Sequence, residues 1–384
     1  MSNVTSHRLG DLINLKRGYD LPESQRNSGP YPVISSAGIS GYHDNYKVEG
    51  KGVVTGRYGT LGTMYYVDGK YWPHNTALYV ASFKGNDQKY IYYLLSCLGR
   101  IRTSDKSAVP GVNRNELHEM KVPAVEDKSQ QKKIASVLSV LDAKIDCNNR
   151  INAELEAMAK TLYDYWFVQF DFPDFSGKPY KSSGGKMVYN TTLKREIPAE
   201  WKDTQLSQIA NITMGQSPAG DSLSGSSDGV EFFQGSTDFG WQFPTVRQYT
   251  TQPARMAKRG DILLSVRAPV GDLNIAHLDC CIGRGLAALN SKDGFDGFLF
   301  YVMQYFKTIF DRRNSEGTTF GSITKDDLHS LLLAYPPTEL LTKYDKVVSR
   351  YNRMVFARSM ENQQLTQLRD WLLPMLMSGQ VTVV

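Results

Sequence analysis

Two short β-type runs end in segments that combine arginine, hydroxyl-bearing residues and glycine, a combination suited to binding a polyanion. An arginine held at the end of a strand can fork onto a guanine edge or onto a phosphate, which are contacts that nucleic acid offers. The competing interpretation is a turn arginine that pairs with a surface carboxylate. The candidate side chains are Thr55, Arg57 and Tyr58 in the first segment and Ser265 and Arg267 in the second.

Two further loops, residues 100–114 and 312–325, are basic at their start and small and polar afterwards. Small residues let backbone amides approach phosphates, while arginine and lysine supply a salt-dependent attraction. The alternative is a plain mobile loop that precedes a helix capped by Asn113 or Thr324. The candidate contacts in these loops are Arg102, Lys106 and Arg114 in the first and Thr318, Thr319 and Lys325 in the second.

Catalytic motifs are incomplete in this sequence. Gly56, Gly59 and Gly62 imitate a phosphate-cradling loop, but their spacing is not G-x-G-x-x-G and a strand-like run follows them. Residues 335–337, Tyr-Pro-Pro, have the two prolines of an amino-methyltransferase motif without the polar residue that would hold the target amine. Acid-x-lysine fragments lack a convincing metal-binding acid upstream. The sequence therefore predicts a protein that is not an enzyme.

Two long heptad patterns must position the candidate segments. Apolar positions at alternating steps of four and three residues run from Ile134 to Trp166, and adding 210 to each number gives a second seam from Tyr344 to Leu376. A helix over residues 126–167 would be roughly 60 Å long and would act as a spacer. Polar residues at seam positions weaken a coiled coil but fix its register. We expect four of them to meet near the centre of an antiparallel pair, with solvated mid-helix residues as the alternative: Asn148, Asn152, Arg358 and Asn362.

The whole chain repeats one plan, in which a short leader, a Gly/Ser/Pro-rich stretch and short β-type runs precede a long helix. The second copy begins roughly 200 residues after the first. A length of 384 residues leaves room for two or three compact domains. Two similar globules joined by helices suit the reading of two places on one extended partner.

Charge, cysteines and hydropathy set broad limits. The net charge of +5 and the pI near 8.8 fit a polyanionic partner, but they also fit many ordinary proteins. The four cysteines lack C-x-x-C spacing, so neither a zinc site nor a disulfide framework is expected. No apolar run approaches the ~18–20 residues of a membrane span, and the N-terminus lacks the regions of a signal peptide. The sequence therefore predicts a cytoplasmic protein.

The end of the first helix resembles a known family. Residues 162–173, LYDYWFVQFDFP, are similar to the central conserved region of specificity subunits from type I restriction-modification systems. Residues 197–201, IPAEW, resemble the Pro-x-x-Trp that opens the second half in this family, and the two-copy plan matches over essentially the full chain. The first copy has His7-Arg8-Leu9 where the equivalent tryptophan would stand, and residues 369–374, RDWLLP, are not a full second Tyr-Asp-Tyr-Trp. These departures weaken the exactness of the repeat.

The resemblance implies an α+β fold with two mixed α/β target-recognition domains, separated by two long helices that form an antiparallel coiled coil with an internal pseudo-twofold repeat. Each domain would read one half of an asymmetric, bipartite DNA sequence. The expected divisions are a first recognition domain at 1–123, a central helix at 124–170, a linker at 171–197, a second recognition domain at 198–337 and a C-terminal helix at 338–384. The stretches 31–36 and 230–236 share position but little chemistry, so the half-sites should differ. The further candidate DNA contacts are Ser35, Ser36, Gln234, Ser236 and Arg284.

The resemblance also assigns the chemistry to partners. Two modification subunits would carry S-adenosylmethionine and methylate adenine, and two restriction subunits would cut DNA with ATP and Mg²⁺, while this chain would hold no cofactor and no metal. Candidate contacts with the modification subunits are Tyr163, Tyr165, Trp166 and Trp371. Packing within the protein is the alternative role for Trp166, which falls on the seam. Two rival functions stay open: a coiled-coil scaffold without DNA binding, and a stand-alone DNA methyltransferase or nuclease.

Overall fold

The computed structural model describes residues 4–57, 63–98, 113–315 and 322–383. The chain forms two compact units, unit 1 from Met1–Asn148 with Glu361–Val384 and unit 2 from Asn149–Met360. Of the helices in the described ranges, none combines the length and the apolar character that a membrane crossing requires. The α-helices are α1 (Leu9–Leu12), α2 (Gln88–Cys97), α3 (Arg114–Glu119), α4 (Lys128–Tyr163), α5 (Leu206–Ile209), α6 (Asp296–Ser315), α7 (Lys325–His329) and α8 (Thr338–Met377).

Unit 1 is built on one larger sheet with the strand order β2-β7-β5-β6-β3-β4 and on a separate antiparallel pair, β1 with β8. In the larger sheet, β3 runs parallel to the end of β6, and the other pairings are antiparallel. The strands are β1 (Val4–Arg8), β2 (Asn14–Arg17), β3 (Tyr31–Ser35), β4 (Gly38–His43), β5 (Val48–Gly56), β6 (Met64–Pro73), β7 (Ala77–Ser82) and β8 (Lys121–Val125).

Unit 2 contains sheets with the orders β12-β20-β17-β18 and β13-β15-β14-β19-β16, and the two-stranded pairs β9 with β10 and β11 with β21. In the second of these sheets, β14 runs parallel to β19. The strands are β9 (Met187–Asn190), β10 (Arg195–Pro198), β11 (Lys202–Gln205), β12 (Ala210–Met214), β13 (Leu223–Ser224), β14 (Val230–Phe233), β15 (Gln248–Thr250), β16 (Met256–Ala257), β17 (Ile262–Ser265), β18 (Leu273–Ile275), β19 (Cys280–Ile282), β20 (Leu286–Ser291) and β21 (Leu332–Tyr335).

The two units repeat one topology. The order β2-β7-β5-β6 in unit 1 matches β12-β20-β17-β18 in unit 2, and the parallel pair β3 with β6 matches β14 with β19. The pair β1 with β8 matches β11 with β21, and α2 follows β7 as α6 follows β20. The internal repeat that the sequence indicates is thus a repeat of strand pairings.

Each unit buries its own apolar core against its part of the long helices. In unit 1, Leu9, Leu94 and Leu138 belong to one buried cluster together with Leu376 near the end of α8. In unit 2, Leu299 of α6 and Tyr344 of α8 belong to another. Tertiary burial of one helix face is what stabilises helices of this kind in proteins.

The long helices pack antiparallel within each unit. In unit 1, Asp142 pairs with Arg369 at 3.0 Å, and six residues further along α4 Asn148 reaches back to Asn362 at 2.9 Å. In unit 2, the Tyr344 hydroxyl donates to the Ala159 carbonyl at 3.4 Å. The predicted fold class, two mixed domains with two long antiparallel helices, is confirmed.

The first long helix is shorter than the predicted span. Asp127 accepts hydrogen bonds from the backbone amides of Ser129 at 3.1 Å and Gln130 at 3.2 Å, so α4 begins at Lys128. Its 36 residues correspond to about 54 Å at the rise of an α-helix. After Tyr163 the chain continues as a π-helical turn, Asp164–Val168.

Candidate nucleic-acid interface

In unit 2, the turn between β19 and β20 carries an exposed cation of the candidate site. Arg284 stands at its apex, and its backbone amide donates to the Ser217 hydroxyl at 3.4 Å. The same hydroxyl accepts from the Gln234 side-chain amide at 3.1 Å. Ser217 therefore holds the main chain of Arg284 beside the side chain of Gln234. Both residue types can read base edges, because arginine pairs with guanine and glutamine with adenine.

The glycines on both sides of Arg284 allow this close approach. A Cβ at Gly283 would lie 2.5 Å from Gln234 Oε1, and one at Gly285 would lie 2.6 Å from the Gln234 carbonyl oxygen. Arg284 and Gln234 are exposed, and no described residue forms an ion pair or a hydrogen bond with the Arg284 guanidinium. The turn thus presents an uncompensated cation to solvent, the property that a phosphate or a guanine edge requires.

Gln234 also leads into a small turn that includes Ser236. Its backbone amide donates to Asp238 Oδ2 at 3.2 Å, and Ser236 begins a short 3₁₀ helix that ends at Asp238. Arg247 forms an ion pair with Asp238 at 2.5 Å, which neutralises that carboxylate. Ser236 is half-buried beside this turn.

The second arginine of unit 2, Arg267, follows β17 and is exposed. Its backbone bridges to Ser322, and Ile323 donates to the Val266 carbonyl at 2.8 Å. Ser265 is buried, contrary to its prediction as a DNA contact, since its hydroxyl donates to the carbonyls of Arg267 at 2.8 Å and Pro269 at 2.7 Å. Ser265 therefore shapes the loop that presents Arg267.

In unit 1, the corresponding turn between β6 and β7 consists of His74, Asn75 and Thr76, none of which is among the candidates predicted from the sequence. Arg57 donates its backbone amide to the Thr76 carbonyl at 2.9 Å, and the Ser36 amide reaches the Thr76 hydroxyl at 3.4 Å. The Thr76 hydroxyl also contacts His74 Nδ1 at 3.1 Å. Burial and the nearby Arg26 lower the pKa of His74, so this imidazole is neutral around neutral pH.

Two predicted contacts of unit 1 have structural roles. Thr55 is buried in β5, where its hydroxyl donates to the Thr63 carbonyl at 3.1 Å, so its prediction as a DNA contact is wrong. Ser35 closes the β3–β4 turn, because its hydroxyl donates to the Gly38 carbonyl at 3.1 Å and accepts from the Ala37 amide at 3.3 Å. Ser35 and Ser36 are half-buried, and Arg57 is partly exposed.

Strand register shows which positions of the two units are equivalent. Gly56 pairs with Ala77 and Ser265 pairs with Leu286, at the first residue of β7 and of β20. Arg57 therefore corresponds to Val266, and Arg267 lies one residue further on. The matching turns are held alike. The His74 amide donates to the Ile34 carbonyl near the end of β3, and the Gly283 amide donates to the Phe233 carbonyl at the end of β14, each at 2.8 Å.

The helices that follow the basic loops begin at equivalent places. Asn113 accepts from the Asn115 amide and caps α3, and Thr324 accepts from the Asp327 amide and caps α7. These are the caps named in the alternative interpretation of the two loops. The cations Arg114 and Lys325 are the first residues of these helices, and both are exposed. The remaining candidates lie outside the described residues: Tyr58, Arg102, Lys106, Thr318 and Thr319.

Two of the four polar seam residues, Asn148 and Asn152, are buried, whereas Arg358 and Asn362 are half-buried. Asn148 donates to Glu361 at 2.8 Å and to Asn362 at 2.9 Å, and Asn152 donates to Ser359 at 3.3 Å. Among the described residues, the Oδ1 atoms of Asn148 and Asn152 have no hydrogen-bond partner. Arg358 instead donates to the Met354 carbonyl of its own helix at 3.2 Å.

The four aromatic residues predicted to bind partners differ in exposure. Tyr163 is buried, with its ring 5.4 Å from that of Phe167 and 6.5 Å from that of Tyr344, so it belongs to the core of unit 2 and its prediction as a docking residue is wrong. Trp166 is half-buried against Tyr344, at 6.0 Å between ring centroids. Tyr165 in unit 2 is 37% exposed, and Trp371 in unit 1 is 62% exposed.

Across the described ranges, no group of three or more histidine, cysteine, aspartate or glutamate side chains is placed to hold a metal ion. The four cysteines are unpaired, and burial raises the pKa of Cys280 to about 12. The side chains at the two turns are one cation, Arg284, and neutral groups that can donate or accept hydrogen bonds, among them Asn75, Thr76 and Gln234.

Comparisons with known proteins also find two copies of one domain in this chain. The family model described as type I restriction modification DNA specificity domain matches residues 1–157 and 198–351. The MjaX type I restriction enzyme specificity subunit from Methanocaldococcus jannaschii is 32% identical, over 76% of this chain and 68% of the relative. The MjaIX specificity subunit from the same organism is 24% identical, over 77% and 69%.

A solved structure has the same fold. The S subunit of a type I restriction-modification system from M. genitalium superposes with a TM-score of 0.64 at 17% sequence identity. The match covers 98% of this chain and 96% of that chain. The likeness therefore includes both units and both long helices.

Proposed function

We infer that this chain, which belongs to the family of type I restriction-modification DNA specificity proteins, is the sequence-reading subunit of a type I restriction-modification complex. It is the non-catalytic member of that complex, and it assembles with DNA and with other restriction-modification subunits. On this proposal, the exposed turns of the two units contact DNA.

The observation that carries the proposal is a matched pair of turns, residues 74–76 in unit 1 and 283–285 in unit 2, here called the reading turns. Each turn lies beside the end of β3 or β14, is fixed by the same backbone hydrogen bond, and presents polar or cationic side chains. Backbone atoms that lock a turn in place reduce the entropy lost when its side chains bind. Two such turns on matched frameworks support recognition of two separate stretches of DNA.

The half-sites should differ because the turns differ. Unit 1 presents His74-Asn75-Thr76 with Ser36 beside it, whereas unit 2 presents Gly283-Arg284-Gly285 with Gln234 beside it. Arginine and glutamine can each make a bidentate contact, with guanine and adenine respectively. We therefore propose an asymmetric bipartite target in which the half-site of unit 2 contains a guanine that Arg284 contacts.

The finer composition of the complex is also a proposal. Two modification subunits would supply S-adenosylmethionine and methylate adenine, and two restriction subunits would supply ATP- and Mg²⁺-dependent cleavage. The topological repeat supports paired partners, since it offers each copy an equivalent surface. Such a complex acts on cellular DNA, so we place its work in the cytoplasm.

The experiment is long-read mapping of methyladenine in a host that lacks other methyltransferases. This chain is co-expressed with its modification subunit, and charge-reversal variants Arg57→Glu and Arg267→Glu are compared with the unchanged chain. We expect a split, asymmetric motif that carries methyladenine in both halves, with each variant altering one half. A stable complex that leaves no methylated motif would refute the proposed function.

A further inference from the structure

A short segment after β2 packs against the reading turn of unit 1 and ends in an acid. The Gly18 amide donates to the Ala77 carbonyl at 3.0 Å. A Cβ at Gly18 would lie 2.1 Å from the His74 carbonyl oxygen, so the close approach requires glycine. Two residues further on, Asp20 is exposed and lies beside Asn75, the apex of the turn.

Unit 2 contains the same segment. Gly215 takes the place of Gly18, because its amide donates at 2.9 Å to the carbonyl of Leu286, the first residue of β20, as Gly18 donates to the first residue of β7. Ser217 therefore stands where Asp20 stands in unit 1. The repeat places a hydroxyl in one unit and a carboxylate in the other at the same position beside the reading turn.

The two residues bind different groups of the apex residue. In unit 2, the Ser217 hydroxyl accepts from the main-chain amide of Arg284 at 3.4 Å, which leaves the guanidinium exposed. In unit 1, Asp20 Oδ1 accepts from the side-chain amide of Asn75. Ser217 thus fixes the backbone of its turn, whereas Asp20 fixes the side chain that would meet a base.

Asp20 selects one direction of the Asn75 carboxamide. An ionised carboxylate accepts hydrogen bonds and donates none, so it binds the NH2 end of the amide and not the oxygen. Arg17 supports both residues, since its guanidinium lies 3.5 Å from Asp20 Oδ1 and donates to the Asn75 main-chain carbonyl at 3.3 Å. This pairing also offsets the negative charge that Asp20 would present to DNA.

The Asn75 carboxamide keeps one acceptor and one donor for a ligand. An asparagine amide has two N–H donors and an oxygen, and Asp20 uses one of the donors. Among the described residues, Asn75 Oδ1 has no hydrogen-bond partner. An acceptor next to a donor matches the N6 amino group and the N7 atom that adenine presents in the major groove.

We propose that Asn75 reads an adenine in the half-site of unit 1 and that Asp20 is the positioning residue that fixes the direction of the Asn75 carboxamide. The proposal rests on the proposed function and deepens it by naming a base and the residue that orients its reader. A carboxamide held in one direction loses less entropy on binding than one that is free to rotate. Position 20 therefore sets which pattern of donor and acceptor the turn presents.

The test is the affinity of the complex with its modification subunits for altered duplexes, measured by fluorescence anisotropy. Each A·T pair of the motif found by methyladenine mapping is replaced in turn by G·C, which puts an acceptor where adenine has its N6 donor. A duplex with 7-deazaadenine, which lacks the N7 acceptor, tests the second contact. The variants are Asn75→Ala, Asp20→Ala and Asp20→Asn. The last keeps an oxygen that the donors Arg17 and Asn75 both select, so it should rescue the loss that Asp20→Ala causes.

The matched control is Asp44→Ala in the same unit, whose carboxylate accepts from the Asn27 side-chain amide at 3.1 Å. The side chains of Asp20 and Asp44 are 73% and 49% exposed, so both changes should keep the fold, and thermal unfolding verifies this. Asp20→Ser carries the residue of unit 2 at this position and replaces Asp20→Ala if that variant unfolds. A hydroxyl both accepts and donates, so it selects neither direction of the amide.

At one adenine, we expect the unchanged chain, the control and Asp20→Asn to bind the cognate duplex about 5- to 150-fold more tightly than the G·C duplex. The cognate duplex should also bind more tightly than the 7-deazaadenine duplex. Asn75→Ala and Asp20→Ala should lose most of both preferences.

A folded Asp20→Ala or Asp20→Ser complex that keeps the preference would overturn the positioning role. An Asn75→Ala complex that keeps it at every adenine would overturn the assignment of Asn75, and either result would leave the proposed function standing. A change of affinity for all duplexes alike in Asp20→Ala would give Asp20 a general electrostatic or structural role and would also overturn the proposal. An unchanged complex that binds cognate and scrambled duplexes equally would instead refute the proposed function, and this inference with it.

Discussion

Arg284 offers the sharpest test of how unit 2 reads DNA. Its guanidinium is exposed and has no hydrogen-bond or ion-pair partner among the described residues, so Arg284→Ala removes neither kind of contact from the folded protein. The free energy of unfolding should change by less than about 0.5 kcal/mol, as for other exposed substitutions. Any loss of DNA affinity therefore reports on the contact with DNA itself.

The size of that loss follows from the kind of contact. A bidentate arginine–guanine pair discriminates by about 1–3 kcal/mol, which corresponds to a roughly 5- to 150-fold weaker Kd for the cognate DNA. Binding to unrelated DNA should change much less. A contact with phosphate alone would weaken binding to all sequences alike and reduce the salt slope by about 1.

The assay is fluorescence anisotropy with cognate and scrambled duplexes at several salt concentrations, using the complex with its modification subunits. Arg259→Ala is the matched control, since that exposed guanidinium lies 4.9 Å from the ring centroid of Phe356 in the same unit. The control should bind both duplexes like the unchanged chain. An Arg284→Ala complex with unchanged affinity for cognate DNA would refute the role of this turn.

Three further substitutions test the framework. Ser265→Ala removes two hydrogen bonds to loop carbonyls and should lower the free energy of unfolding, measured by urea titration, by about 1–3 kcal/mol. An unchanged urea midpoint would contradict the role of Ser265 in shaping the loop. Asn152→Leu removes a buried amide with an unpartnered oxygen and should raise that free energy by about 1 kcal/mol. Burial raises the pKa of Glu156, so the protonated side chain stabilises the fold below pH 4.5, and this stabilisation is lost as pH rises through the raised pKa. Glu156→Gln should therefore make the free energy of unfolding depend less on pH in this range. An equal dependence on pH in the variant and the unchanged chain would count against the burial.

The periodic features were predictable from the sequence, and the turns were not. Heptad spacing predicts both long helices because one face of each must be buried, and the cap residues Asn113 and Thr324 follow from their hydrogen-bonding side chains. The turn at Asn75 has no local pattern of cations or glycines. It becomes part of the candidate site only because strand pairing brings Ser36 and Arg57 to it.

Two errors have the same physical origin. Tyr163 and Thr55 have polar groups that suit an interface, but burial depends on packing between elements distant in sequence. The two candidate arginines are also not at equivalent positions, because strand register sets Arg57 against Val266 and not against Arg267. A shift of one residue changes which face of a strand a side chain occupies, so register must be known before side chains can be matched.

The backbone hydrogen bonds from His74 and Gly283 have an evolutionary consequence. They fix each reading turn through main-chain atoms, which are the same whatever side chain stands at the apex. Residues at the apex can therefore diverge while the sheet beneath them is inherited unchanged. If the proposed function holds, a few substitutions at one turn would change one half-site, and the other half-site, on a separate framework, would stay as it was.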